Sequence, residues 1–303
     1  MIKSLTITNH SGDSVKLELT HPESSGFIVT SVEGLGPVKA TINLTEVITN
    51  DGGVFNSART SYRNIVFNLK FMQTDDKTIE EVRHDSYKFF PLKKMVTVFI
   101  ETDTRELKCE GYVESNEPDI FSKEEGCSIS IICPDPYLYT VDLNVTNISD
   151  VQPMFEFPFE NNSLDTPLLE MSRIQEKEKH TIVYEGETDV GVSILIHARG
   201  EATNITIHNL NTREQMCINT DKLKSITGRG ISTGDTISIN TKKNNKRILL
   251  IRDGVSLNIL NCLDKGSKWF TLTKGINNFA YTADSGSLNL EFIISNEIIY
   301  DGV

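Results

Sequence analysis

The chain is poor in the residues that build reactive centres. Its five cysteines, Cys109, Cys127, Cys133, Cys217 and Cys262, are odd in number and widely scattered among 303 residues. That argues against a disulfide framework, and without a Cys-x-x-Cys pair it offers no zinc ribbon. The six histidines form no His-x-His or His-Glu-x-x-His pattern, so a catalytic metal centre lacks its usual donors. There is no glycine-rich phosphate loop. No apolar run reaches the roughly 18 residues of a membrane-spanning helix. The opening MIKSLTITNH alternates and has no apolar signal-peptide block, so synthesis in a cytoplasm is expected.

Positive charge is also scarce. Thirty Lys and Arg stand against 42 Asp and Glu, a formal net charge of -12. Up to Thr140 there are 14 basic and 21 acidic residues, and after it 16 and 21. With both halves acidic, the chain is not built to grip a polyanion, although it could line a channel through which one slides.

What the chain has in quantity is strand pattern. Its length suggests two domains, each large enough for its own core. Ile2 to Thr8 and Val15 to Leu19 read as a hairpin about Asn9–Asp13, and Phe27 to Val32 and Val38 to Thr45 as further strands. Val47 to Arg59, with Asn50-Asp51-Gly52-Gly53, reads as a long loop or loose hairpin. In YRNIVFNLKF, Ile65, Phe67, Leu69 and Phe71 alternate with Asn64, Val66, Asn68 and Lys70, the period of a half-buried strand. A helix is expected over about 74–90, capped by Thr74-Asp75-Asp76, striped by Ile79, Val82, Tyr87, Phe89 and Phe90, and ended by Pro91. Met95 to Glu101 and Arg105 to Glu114 follow as strands. Residues 141–178 read as a connector. From Lys179 strands recur every 8–15 residues between turn pairs such as Asp253-Gly254 and Ser285-Gly286, the pattern of a sandwich.

Chemistry-bearing residues stay isolated. His197 and His208 fall on strands expected to be adjacent, as ordinary sheet residues. Glu187, Asp189, Glu201 and Glu291 would have to face one another across a groove to cleave a glycan, and nothing in the sequence pairs them. Trp269, the only tryptophan, could anchor a core or, with Phe270 and Phe279, offer a stacking surface to a sugar. Lys242 to Arg247, KKNNKR, reads as a basic hairpin tip, solvated or set against an acidic neighbour. No catalytic, cofactor-binding or metal residue is assigned, and no enzyme activity is expected.

The stretch LKCEGYVESNEPDIFSKEEGCSISIICPDPYLY, Leu107 to Tyr139, joins two strands through a polar loop and stops at Pro134-Asp-Pro136. Cys127 and Cys133 fall on one face of its second strand. The order G-Y-V, E-P, F-S-K and C-P-D-P-Y resembles the end of the N-terminal domain of siphophage distal tail proteins (the Dit family). YRNIVFNLKF followed by a helix and FFPLKKMVTVFI is similar to their strand, helix and strand. GDTISINTKKNNKRILL and SKWFTLTKGINNF resemble their carboxyl domain.

The resemblance implies a mainly β chain. Residues 1–140 would be a split-barrel-like, ring-forming domain with one helix, and 179–303 a galectin-like β-sandwich. It implies a homo-hexameric hub in the virion, at the distal end of the tail, with the tail tube protein on one face. A tail-associated lysin or tail fibre protein would sit on the other, with DNA passing the lumen unbound. Glu110, Glu114, Glu117, Glu124 and Glu125 are the candidates for an acidic lumen. The alternative is a carbohydrate-binding, receptor-recognising module for a host cell-wall saccharide, with Trp269, Phe270 and Phe279 as its platform. A glycan-cleaving enzyme comes third. Neither a cofactor nor a membrane enters any of these readings.

Overall fold

A computed structural model of the protein describes residues 1–46, 51–147, 150–153, 172–175 and 179–303. They are mainly β, in antiparallel sheets with two α-helices. The chain divides into two compact units, the first Met1–Val141 with Ile299–Val303, the second Asp142–Ile298. The last five residues therefore belong with the first unit. Much of 141–178 lies outside the described residues.

Unit 1 contains β1 (Ile2–Asn9), β2 (Ser14–Glu18), β3 (Phe27–Glu33), β4 (Ala40–Glu46), β5 (Gly53–Thr60) and β6 (Arg63–Phe71), followed by α1 (Ile79–Phe89). After the helix come β7 (Met95–Thr102), β8 (Glu106–Asp119), β9 (Gly126–Cys133) and β10 (Leu138–Thr140). Its main sheet runs β2-β1-β7-β8-β9-β6-β3, and β10 pairs with both β8 and the terminal strand Ile299–Tyr300. Among the described residues no pairing joins the end strands β2 and β3, and the sheet of the expected split-barrel-like domain does not close into a barrel. Alternation gives the sheet one apolar face. In β6, Ile65, Phe67, Leu69 and Phe71 are buried as their period requires, and Cys127, Ile129, Ile131 and Cys133 of β9 share that inner face. Each such side chain contributes about 1.5–3 kcal/mol on full burial. All five thiols are free.

The helix begins later than the sequence suggests. Thr78, not Thr74-Asp75-Asp76, is its cap, in a reciprocal box with Glu81. Its buried face is Val82 and Ser86, continued by Phe90, whose ring lies 6.1 Å from Phe67. Ile79 and Tyr87, expected in the stripe, are exposed. Ser86 fits an inner position because its hydroxyl bonds back to the Arg83 carbonyl, leaving no unmet donor.

Unit 2 contains β11 (Asn144–Asn147), β12 (Asp150–Pro153), β13 (Ser172–Gln175), β14 (His180–Tyr184), β15 (Val190–Gly191), β16 (Ser193–Ala198), β17 (Ile205–Asn209) and β18 (Glu214–Ile218). These are followed by α2 (Thr220–Thr227), β19 (Thr236–Asn240), β20 (Arg247–Arg252), β21 (Val255–Asn258), β22 (Thr271–Leu272), β23 (Gly275–Thr282) and β24 (Leu290–Asn296). Two larger sheets have the orders β11-β24-β16-β19-β20-β21 and β14-β23-β17-β18, while β12-β13 and β15-β22 are separate pairs. His197 and His208, expected on neighbouring strands, lie in different sheets. Tyr281 of the four-stranded sheet stacks on Phe292 of the six-stranded one, ring centroids 3.9 Å apart. Asp253 and Gly254, both at positive φ, turn β20 directly into β21, as an Asp-Gly hairpin should. The short α2 was not anticipated. Asn219 accepts from the Asp221 and Lys222 amides at its start, and Gly228 ends it in the left-handed region.

Candidate assembly surfaces

Three surfaces were singled out by sequence or by the fold: an arm, a polar sheet face and the surroundings of Trp269.

The arm is the hairpin β4–β5. Among the described residues the two strands pair only with each other, and every residue in both is exposed. Register sorts the side chains. Ile42 opposes Ala58 and Leu44 opposes Phe55, so that Ala40, Ile42, Leu44, Phe55 and Ala58 share one face. Asn43 opposes Ser57 and Thr41 opposes Arg59 on the other, where Asn43 Nδ2 donates to Ser57 Oγ at 2.9 Å. A bulge between Asn43 and Leu44 places Asn56 beside Thr45 and brings Phe55 opposite Leu44, while Val54, opposite Thr45, is the apolar exception on the polar face. The result is an amphipathic ribbon whose large apolar side chains Ile42, Leu44 and Phe55 are 58–62 % exposed. A two-stranded ribbon is marginal in water, and an exposed apolar stripe marks a contact surface. The sequence signalled the hairpin through Asn50-Asp51-Gly52-Gly53 but not its exposure.

The base of the arm is clamped. Arg63, the first residue of β6, is 1 % exposed. Its guanidinium donates to four main-chain carbonyls, those of Pro136 at 2.7 Å, Gly34 at 2.5 Å, Gly36 at 2.8 Å and Asp301 at 2.6 Å. Five donors in a planar fork suit such a cage, which compensates burial of the charge with carbonyl dipoles. Gly34 sits at φ +82°, and a Cβ there would collide with the Asn64 carbonyl, so the loop between β3 and β4 is shaped around this residue. Nothing in the sequence marked Arg63.

The polar face lies on the outside of the main sheet. Glu110 and Glu114 project from alternate outward positions of β8, and Glu117, opposite Ser128, projects from the same face beyond a bulge. Ser31, Asn64, Asn68, Thr97 and Ser130 carry the neighbouring strands' contribution. The Ser130 hydroxyl is 2.8 Å from Glu114 Oε2. Glu110, Glu114 and Glu117 have no ion-pair partner among the described residues. Glu124 and Glu125 stand apart from them, in the loop before β9. Glu124 is paired with Lys70, which holds its carboxyl below the usual range, and Glu125 accepts from Arg83 at 3.0 Å.

Around Trp269 the three aromatic candidates separate. Phe270 and Phe279 are 0 % exposed and meet edge to face at 5.8 Å. Trp269 alone is half-buried, with Lys246 Nζ 5.6 Å from its ring centroid. Glu291 is tied to Arg199 at 2.9 Å. Among the described residues no group of three or more His, Cys, Asp or Glu is placed to hold a metal ion.

No protein-family model and no curated protein matches the sequence. The fold does have a solved counterpart. The SPP1 Dit (gp 19.1) protein, described as a paradigm of the hub adsorption apparatus in Gram-positive infecting phages, superposes with a TM-score of 0.66. The likeness covers 98% of this chain and 100% of that one at 12% identity, which shows a shared fold over nearly the whole length. A chain of the phage P2 baseplate, in its activated conformation with Ca, aligns over 98% of both chains at 15% identity with a TM-score of 0.47.

Proposed function

We propose that this protein is a structural component of a phage tail tip, a hub that assembles from copies of itself and has no catalytic mechanism. The fold shared from end to end with the SPP1 Dit protein supports the class. The observation that carries the self-assembly is the β4–β5 arm, an amphipathic ribbon whose apolar face has no cover among the described residues. A second copy offers that cover at every position of a closed ring and leaves no arm unsatisfied, the advantage of cyclic symmetry. In this reading unit 1 builds a six-membered ring between the tail tube protein and a tail-associated lysin or tail fibre protein. Unit 2 is read as a galectin-like sandwich. Glu110, Glu114 and Glu117, on a face that carries Ser, Thr and Asn together with Tyr112, line the lumen, where carboxylates without an ion-pair partner repel passing DNA. Glu124 and Glu125, already bonded to Lys70 and Arg83, serve the loop instead.

Negative-stain imaging of the purified chain tests this reading. Class averages with six-fold symmetry and a central opening are expected. Open chains of subunits, or rings of another symmetry, would contradict it.

A further inference from the structure

Unit 2 carries a basic surface of its own. Segments 242–247 and 265–274 hold seven of the 16 basic residues that follow Thr140, and no carboxylate. The fold brings the two segments together. Thr241 Oγ1 donates to the Phe270 carbonyl at 2.8 Å, and Lys246 Nζ stands 5.6 Å from the centre of the Trp269 ring. Lys243, Lys246, Arg247, Lys265, Lys268 and Lys274 are all exposed, and none is ion-paired with a described residue. Of the bordering carboxylates, Asp264 is engaged with Lys222 at 2.9 Å and Glu297 with Lys242 at 2.6 Å, while exposed Glu185 and Asp189 flank the Lys274 end, so the positive surface is that of Lys243, Lys246, Arg247 and Lys268.

Cations gathered this way in an acidic chain repel one another and hold a local positive potential, which selects an anionic partner. Trp269 adds a half-buried aromatic ring within that field. Ring and cations together match a polymer in which saccharide rings alternate with phosphodiesters. A pyranose can lie against the indole while the phosphate oxygens take Lys and Arg donors. Single-stranded nucleic acid also joins rings to phosphates, but its grooves stack successive bases on several aromatic side chains. Here Phe270 and Phe279 are shut inside the core and leave one platform. We propose that the Lys243–Lys246–Arg247–Lys268 surface around Trp269 binds a phosphodiester-linked saccharide chain.

The test passes the full-length protein over immobilised poly(glycerol phosphate) bearing glucosyl branches, unbranched poly(glycerol phosphate), dextran and single-stranded DNA, in biolayer interferometry. The branched phosphate polymer should bind, the neutral dextran should not, and affinity should fall at least about tenfold between roughly 50 and 200 mM salt. The double variant K243E/K246E, at two exposed positions, should keep the wild-type circular dichroism spectrum and weaken binding by more than about tenfold. Trp269→Leu should weaken binding to the branched polymer more than to the unbranched one. Absence of binding, binding indifferent to K243E/K246E, or DNA bound as tightly as the branched polymer would overturn the proposal. So would charge reversal that abolishes self-association without touching polymer binding, which would make the surface an interface between copies.

Discussion

The Arg63 guanidinium donates to the main-chain carbonyl of Asp301 at 2.6 Å, across 238 positions of sequence. The bond ties the chain's last residues to the first strand after the arm. Arg63 binds Gly34 and Gly36 on the other side of the arm, so one buried side chain fixes the frame from which the hairpin projects.

Removing that side chain should therefore unfold unit 1 locally. Arg63→Met leaves four carbonyls to find water, and a loss of about 3–5 kcal/mol is expected, with Arg63→Lys intermediate because an ammonium cannot span the cage. Hydrogen exchange read by mass spectrometry checks this. Peptides from β6 and residues 299–303 should lose protection while those from β16 and β24 keep theirs. Unchanged protection in the 299–303 peptide would refute the clamp.

How much of this was readable beforehand depended on where the partners are. The alternation of β6 was legible because its partner is the chain's own core, so period and burial agree. The arm alternates just as well, yet its residues are exposed, because nothing among the described residues covers them. Arg63 was invisible because main-chain carbonyls carry no sequence signature. The helix cap was misplaced by four residues, from Thr74 to Thr78. Thr74 instead accepts from the Lys77 amide in the preceding turn, and both threonines precede acidic residues. The short α2 offered too few turns for a period, and only Asn219 and Gly228 marked its ends. Glu110, Glu114 and Glu117 could be read as acidic, but the bulge in β8 that keeps them on one face could not.

Unit 2 should weaken in acid. Burial pushes the Asp235 carboxyl up, but the bonds from Arg252 and Ser232 outweigh it and hold the group below its ordinary value. A depressed folded value contributes stability above the unfolded value, about 3.9, and that contribution disappears as pH falls through the folded value. Arg252 Nη2 stands 2.5 Å from Asp235 Oδ2, and Asp235 is 2 % exposed. Asp235→Ala strands the guanidinium and should cost about 3–5 kcal/mol at neutral pH. Urea melts at neutral pH and at about pH 3 measure both effects. The variant should lose less on acidification than the wild type, and an equal loss would exclude Asp235 as the titrating group.

The thiols should be quiet until the protein unfolds. Burial pushes the Cys127 thiol up to about 12, which leaves about one part in ten thousand as thiolate at pH 8. Cys109 is raised by the bond it shares with Cys133 and by burial, and Cys262 by burial; the same bond lowers Cys133, which is fully buried and so out of reach of a reagent. Half-buried Cys217 should be the first to react with a disulfide reagent, slowly, and all five should react in denaturant. A reducing agent should leave the melting temperature where it is. Rapid stoichiometric labelling of Cys127 in the folded protein would contradict the burial described.

Arm variants should separate assembly from folding. Ile42 and Phe55 are mostly exposed, so Ile42→Asn with Phe55→Ser should change protomer stability by no more than about 0.5 kcal/mol. Thermal denaturation of dilute protein checks it. A large drop would mean that the arm already packs against its own chain.

Native mass spectrometry of the wild type beside that double variant addresses the central claim most directly. Self-assembly through the arm predicts a wild-type species of six chain masses and a variant that remains monomeric. A wild type that stays monomeric up to its solubility limit, or a variant that forms the same six-chain species, would contradict the account.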